Sequence, residues 1–402
     1  MPLRRRLLCL TVAPLLLSAG QVAADADDTF SLIAAGTVMH DDNLFRLPAN
    51  ANTQALLGKS TRAEDITITA LTLRVNKPYS LQRFEFEASL LDYRYTNFSY
   101  LSYSAKPYKG AWHWSLTPYL HGNLSSDYSE SLNSFADFTG YTVRNTNSRK
   151  NTRFDAVADL SASWHLLGGV SESTNTNSQA VLGEGDSRLK LAEAGLRYTF
   201  ASGSTLSYIA KTGRGDYIKR AQPIAAGLFD NRFDDTENEV RLLWSLTGKT
   251  SIDARIAHIE RKHAHYAARD YAGNVGNLNL NWAITGKTSL TAGYTRELSS
   301  YQTASNNYST IDRFTLTPLW QFSGKTALRA KFDYAQRECP AILTAVPASR
   351  SDTLRTALIA VDWQPLRSAT VSASLQNDKR ASNQPGLDYE SNTLGVTAQL
   401  TF

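Results

Sequence analysis

The chain has 402 residues and two cysteines, Cys9 and Cys339. Cys9 lies in an N-terminal leader and Leu8 precedes it, so the small residue expected before a lipoprotein cysteine is missing. Once the leader is removed a single thiol remains, which excludes an intramolecular disulfide framework and leaves stability to backbone pairing and packing. Long apolar runs are also lacking. After the leader no stretch reaches the ~20 residues that a membrane-spanning helix needs, so helical insertion is excluded. Charge of one sign is not concentrated either. Removing the leader takes away three arginines and no acids, and the formal charge falls from +5 to +2. No clustered basic face is left to argue for nucleic acid. No phosphate-binding loop, zinc spacing or nucleotide fingerprint occurs, and no cofactor is expected.

The leader itself is legible. Arg4, Arg5 and Arg6 precede an apolar run from Leu7 to Leu17, and Val22-Ala23-Ala24 offers a cleavage point before Asp25. This is the pattern of a secretory signal peptide, residues 1–24, followed by one domain over 25–402.

What the mature chain has in abundance is alternation, organised by a repeat. Trp244-Ser-Leu-Thr-Gly-Lys-Thr-Ser251 returns as Trp282-Ala-Ile-Thr-Gly-Lys-Thr-Ser289 and as Trp320-Gln-Phe-Ser-Gly-Lys-Thr-Ala327, at a spacing of 38 residues. Each Gly-Lys turn divides two segments of alternating apolar and polar residues, the layout of a β-hairpin. Looser copies at Tyr198–Thr205 and Trp363–Ala369 extend the tiling. Along 327–334, Leu328, Ala330, Phe332 and Tyr334 share one face, and Arg329, Lys331 and Asp333 share the other. Trp244, Trp282, Trp320 and Trp363 all occupy the apolar face just before a short turn, which predicts a ring at one height. Such an aromatic girdle belongs where a barrel crosses the membrane interface. The rival is a soluble sandwich that keeps these tryptophans in its core.

These patterns predict an all-β chain, a transmembrane up-and-down antiparallel β-barrel of about 18 strands, with 16 as the main competitor. Short turns are expected near 77–79, 116–118, 167–169, 202–203, 248–249, 286–287, 324–325 and 365–366. Longer polar links are expected near 40–65, 97–105, 132–150, 174–188, 218–235, 263–272, 299–309, 338–351 and 380–388. With the first strand at about 29–38, both termini fall on the periplasmic side of the outer membrane. Residues 97–152 alternate poorly, and Pro318 calls for a bulge or a broken ladder. The last strand, Leu394–Phe402, has one greasy face and ends in a carboxy-terminal Phe. Phe402 resembles the terminal residue by which outer-membrane barrels are recognised by the barrel assembly machinery.

A barrel of this size must fill its lumen with water, a plug or a folded-in loop. By strand parity the inward residues include Glu193, Arg197, Glu239, Arg241, Asp253, Arg255, Asn277, Asn279, Asn281, Glu297, Arg313, Arg329, Lys331 and Asp333. Glu85, Glu87, Asp155, Asp159 and Asp362 fall on the same side. Both signs are present and no single-sign ring emerges. Paired charges that solvate the wall are the plain reading. A wall of balanced charge with amides also suits a hydroxyl-rich polymer.

Three phrases carry a family resemblance: Asp41-Asp42-Asn43-Leu44-Phe45-Arg46-Leu47, Tyr108-Lys-Gly-Ala-Trp-His-Trp114, and the segment from Arg144-Asn145 through Trp164. Together they resemble the EpsL-type outer-membrane proteins of exopolysaccharide clusters that accompany the exosortase and PEP-CTERM sorting system. β-Barrel porins share the early Asp-Asn-Leu-Phe phrase. The resemblance implies a part in biosynthesis or export of an extracellular polysaccharide, with outer-membrane lipid and lipopolysaccharide around the barrel. Periplasmic polysaccharide-export partners would then be expected, and a monomer is the default. A general or substrate-selective diffusion porin is the first alternative, and an acidic constriction loop facing a basic wall would favour it. An outer-membrane hydrolase is the second. His258, Glu260, His263 and His265 form the densest histidine cluster, but strand parity sets His258 and Glu260 on one face and His263 on the other. No catalytic or metal-binding residue is assigned. Cys339 is expected in an extracellular loop.

Overall fold

The structure, a computed structural model, describes residues 29–137, 142–179, 185–220, 230–267, 270–300, 308–340 and 349–402. The leader, Cys9 and parts of several predicted links lie outside the described residues. The N-terminal strands are β1 (Phe30–Asp41), β2 (Glu64–Tyr79), β3 (Gln82–Tyr95), β4 (Tyr103–Ala105), β5 (Tyr108–Thr117) and β6 (Leu120–Leu132). Next come β7 (Thr146–Asp159), β8 (Trp164–Asn177), β9 (Ser187–Thr199), β10 (Thr205–Tyr217), β11 (Arg232–Thr247) and β12 (Thr250–Lys262). The remainder are β13 (Tyr271–Ala283), β14 (Thr288–Ser300), β15 (Tyr308–Trp320), β16 (Thr326–Cys339), β17 (Arg350–Leu366), β18 (Ala369–Ser382) and β19 (Tyr389–Thr401).

All strands pair antiparallel with their neighbours in one sheet, and β1 closes the barrel by pairing with both β2 and β19. Although 19 strands are distinguished, β4 and β5 are one stave. Both pair with β3 in a single register, Leu91 with Ala105 and Ala88 with Tyr108. The break falls at Lys106-Pro107, where proline has no N–H to give the ladder. Ser89 still donates to the Pro107 carbonyl at 2.9 Å. The barrel therefore has 18 staves.

The repeat became the hairpins β11–β12, β13–β14 and β15–β16, with their Gly-Lys turns where the sequence predicts them. Two expectations are corrected. Leu167-Gly168-Gly169 is not a turn but the middle of β8, and the turn lies at 160–163. Gly169 is there for close packing, since a Cβ would meet the Phe154 carbonyl at 2.9 Å and Glu193 Oε1 at 3.1 Å. Cys339 is not in a loop either. It is the last residue of β16, fully buried and paired with Arg350.

Elsewhere the described links are shorter than expected, because β7 begins at Thr146 inside the 132–150 span and β6 continues to Leu132. Pro318 leaves its ladder with β16 broken between Leu316 and Leu319 without shifting the register.

Period-two alternation sorts the side chains. On the outer face, Leu278, Tyr294, Phe314, Phe332 and Ile359 are exposed apolar residues. Trp244, Trp282, Trp320 and Trp363 are each about half exposed, at 43–50%. The register sets Trp282 beside Thr250, Trp320 beside Thr288 and Trp363 beside Thr326, so all stand one step from a short turn. Trp164 and Trp112 are further exposed indoles of the N-terminal half. Phe402 is also exposed, and its backbone exchanges two hydrogen bonds with Leu32 across the closing seam.

Candidate functional site

The inner face of the wall is built from ion pairs. Glu239, wholly buried, accepts from Lys211 Nζ at 3.1 Å and from Arg255 Nε at 2.5 Å, and pairs with Arg241. Arg255 and Lys211 also reach Glu237. Arg329 donates to Asp362 at 2.8 Å. Lys331 lies 2.6 Å from Asp333, which Arg313 approaches at 3.8 Å. Glu193 accepts from Arg153 of β7 at 2.8 Å, across Gly169 of the strand between them.

The amides Asn277, Asn279 and Asn281 follow along β13, Asn279 next to Gly293 and Asn281 accepting from Thr291. Asp253 stands beside Asn279, and Arg197 beside His165. Glu297 shares the β14 face of Gly293. Among the described residues, Arg197 Nε, Asn277 Oδ1 and Arg313 Nη2 have no hydrogen-bond partner. Buried polar atoms in a dry interior are nearly always paired, so such atoms point to water on this face.

At the rim of the long links the inner face changes character. Three links turn inward there and pack together. Phe45 from the β1–β2 link meets Phe98 edge-on at 4.7 Å and Phe135 at 4.6 Å. Met39, Ile66, Ile68, Tyr93 and Tyr95 of β1–β3 complete a buried apolar core. Local polar contacts hold the links in place. The fully buried Glu64 carboxylate accepts the backbone N–H groups of Asp65, Thr96, Asn97 and Phe98. Asp41 accepts from the Asn43 N–H, the Ser391 hydroxyl and Arg46. These residues belong to the Asp-Asn-Leu-Phe phrase, whose Asn43 side chain ties Leu47 and Glu390 together.

The 3-10 turn Phe135–Asp137 follows β6 and carries Asp137 across the mouth. Asp137 accepts two hydrogen bonds from Arg337, at 3.0 and 2.7 Å, one from Arg350 at 3.3 Å and one from Arg380 at 3.2 Å. Arg337, Arg350 and Arg380 stand on β16, β17 and β18, and β5, β3, β2, β1 and β19 separate β6 from even the nearest of these. The contact therefore spans the lumen rather than following the wall. Asp352 bridges Arg337 and Arg350, while Arg46 lies 2.8 Å from Asp41 and 3.9 Å from Asp378. The Arg380 guanidinium lies over the Tyr389 ring at 4.9 Å.

Burial alone raises the Asp137 pKa, but the guanidiniums of Arg337, Arg350 and Arg380 outweigh it and hold the carboxyl down at about 2. Across the rim a second aromatic and charged cluster forms, with Arg261 bidentate to Asp235 at 2.7 Å and its guanidinium 3.7 Å from the Phe233 ring centre.

The histidines divide as strand parity predicts. His258 faces outward, 3.6 Å from Glu260, while His263 is buried, with Tyr217 Oη at 3.1 Å and Asp270 at 3.1 Å. Burial pulls the His263 imidazole below its ordinary pKa despite that carboxylate. His265 pairs separately with Asp230 at 2.7 Å. The four residues share no site.

The tether of Asp137, Arg337, Arg350 and Arg380 has no place among the sequence-based site residues. A signal was there in the spacings Arg350/Asp352 and Asp378/Arg380, opposite charges two apart on inward positions at strand ends. The third party, Asp137, is 200 residues from Arg337 in the chain, and only closure of the barrel brings them together.

Residues 239–402 match the family model described as Putative beta-barrel porin 2. The crystal structure of Pseudomonas aeruginosa OccK2 (OpdF) aligns with a TM-score of 0.50 at 11% identity, over 93% of this chain and 97% of that one. The same Pseudomonas aeruginosa protein in complex with glucuronate gives a TM-score of 0.50 at 12% identity, over 94% and 97%. At such identities the likeness is one of fold. This chain has a porin-like barrel fold. No curated protein matches it, and neither the family model nor these structures carry the exopolysaccharide association that the EpsL resemblance implies.

Proposed function

We propose that the protein is a substrate-selective diffusion porin of the Gram-negative outer membrane, with a mouth narrowed by its own inward links. The observation that carries this reading is the Asp137 tether to Arg337, Arg350 and Arg380. A polymer in transit needs an undivided bore, and an ionic strut across the mouth divides it. Small solutes can pass beside a strut. An acidic residue on a link facing a basic wall is also the arrangement that favours the porin alternative.

The wall sets the class of solute. Its arginines are matched by carboxylates, and Asn277, Asn279 and Asn281 offer both donors and acceptors. Such a lining has no strong preference for either sign of ion and favours small hydroxylated or zwitterionic solutes. The exposed tryptophans and leucines support an outer face in lipid, with the short turns and both chain ends in the periplasm and lipopolysaccharide beyond the long links. Export of an exopolysaccharide has the EpsL resemblance alone behind it.

Swelling of liposomes that contain the refolded barrel tests the reading. Monosaccharides and amino acids are expected to enter and long oligosaccharides to be excluded. A deletion strain that loses surface polysaccharide while keeping its small-solute permeability would reverse the choice. A thiol introduced at Ser202, in a short turn, should resist an impermeant label on whole cells; labelling there would invert the orientation.

A further inference from the structure

The outer face holds one feature that conduction does not use. Where Lys106-Pro107 interrupts the fourth stave, a trough of about 460 Å³ opens on the membrane side. Leu71, Leu73, Phe86, Leu90 and Tyr108 form most of its lining, and Lys106 stands at one end. Its floor is low because β3 carries the small Ala88 there, opposite Tyr108.

Lys106 is exposed and, among the described residues, has no hydrogen-bond or ion-pair partner. Three other outward cations, Arg214, Arg232 and Arg296, each have one, with Asp234, Asp216 and Asp312.

The height of Lys106 follows from the register. It lies opposite Leu90, six residues above the stacked pair Phe84–Trp112. On the other side of the barrel, Phe314 and Tyr334 form a pair six residues above Trp320 and Leu328. Beyond these positions the outward residues turn polar, Asp92 on β3 and Asp312 on β15, so Lys106 stands at the edge of the apolar band, at the lipid interface rather than the midplane. A lysine on the lipid face costs about 2–4 kcal/mol at the midplane and about 0–1 near the interface. There its ammonium can meet a headgroup phosphate.

We propose that this trough is a lipid site, which seats one acyl chain along the leucines while Lys106 holds the phosphate of the same molecule. The trough runs from Lys106 toward Leu32 and Leu73, away from the long links, which is the direction an acyl chain takes from a headgroup in that leaflet. The occupant is a phosphorylated, acylated glycolipid, lipid A in a Gram-negative outer leaflet. The assignment rests on the outward orientation of the long links and not on conduction.

Native mass spectrometry of the refolded full chain, with lipid A, phosphatidylglycerol and phosphatidylcholine added separately, tests it. Lipid A is expected to be retained most strongly, and Lys106→Met to weaken that retention about fivefold, the effect of one interfacial lysine. Ala88→Trp, which fills the floor, should abolish it while the barrel keeps its heat-modifiable mobility. Equal retention of phosphatidylcholine, stronger retention of phosphatidylglycerol, or unchanged binding by both variants would overturn the proposal. Conductance of Lys106→Met should match the wild type, so a barrel that fails to conduct yet retains lipid A would sink only the porin reading.

Discussion

Asp137 shows how a single carboxylate can depend on a whole barrel. Its four hydrogen bonds go to three guanidiniums on three strands, and removing it leaves Arg337, Arg350 and Arg380 with one fewer shared anion. Breaking a fully buried pair costs about 3–5 kcal/mol, but a fifth of the Asp137 side chain stays open, so about 2 kcal/mol is the better figure. Asp137→Asn should accordingly speed amide exchange of residues 133–137 by about thirtyfold, with the strands unaffected. The pH dependence has a fixed sign. Because the folded pKa of about 2 lies below the unfolded value, the stabilisation is complete above about pH 4 and is lost as pH falls from there toward 2. Exchange of the same amides should be flat from pH 7 to 5, after correction for intrinsic rates, and rise below about pH 4. A rise already at pH 6 would point to His263 or another imidazole instead.

At the scale of the strand, the second half of the barrel was legible and the first half less so. The 38-residue repeat marks β11 to β16 because Trp, Gly and Lys recur at fixed positions and the intervening residues alternate without interruption. The first half hides its staves for local reasons. Lys106-Pro107 cuts one stave in two, and Gly168-Gly169 looks like a turn while serving as the close-packed middle of β8 beside Arg153 and Glu193. Pro318 was readable as a weak point, and its missing N–H defines a testable gain. Pro318→Val restores a donor and puts a lipid-compatible side chain on the outer face next to Trp320. It should stabilise the β15–β16 pair by about 1 kcal/mol, seen as a higher temperature for the heat-modified mobility shift. A lower temperature would mean that the break relieves strain.

Taken whole, the molecule is an 18-stave barrel whose inner and outer faces meet different solvents. Alternation discloses that division from sequence, since polar and charged residues predominate on one side and apolar residues on the other. The contents of the mouth stayed hidden. Which links fold inward depends on contacts between segments far apart in the chain: Phe45 with Phe135, and Asp137 with Arg380. The Asp-Asn-Leu-Phe phrase, met first as a family signature, turns out to anchor this inward packing through Asp41, Asn43 and Phe45. Single-channel conductance in planar bilayers, measured for the wild type and Asp137→Asn at pH 7, tests the central claim most directly. The account predicts discrete openings for the wild type and larger ones for the variant, because the strut across the mouth is released. Silence from both proteins, or steps of equal size, would contradict it.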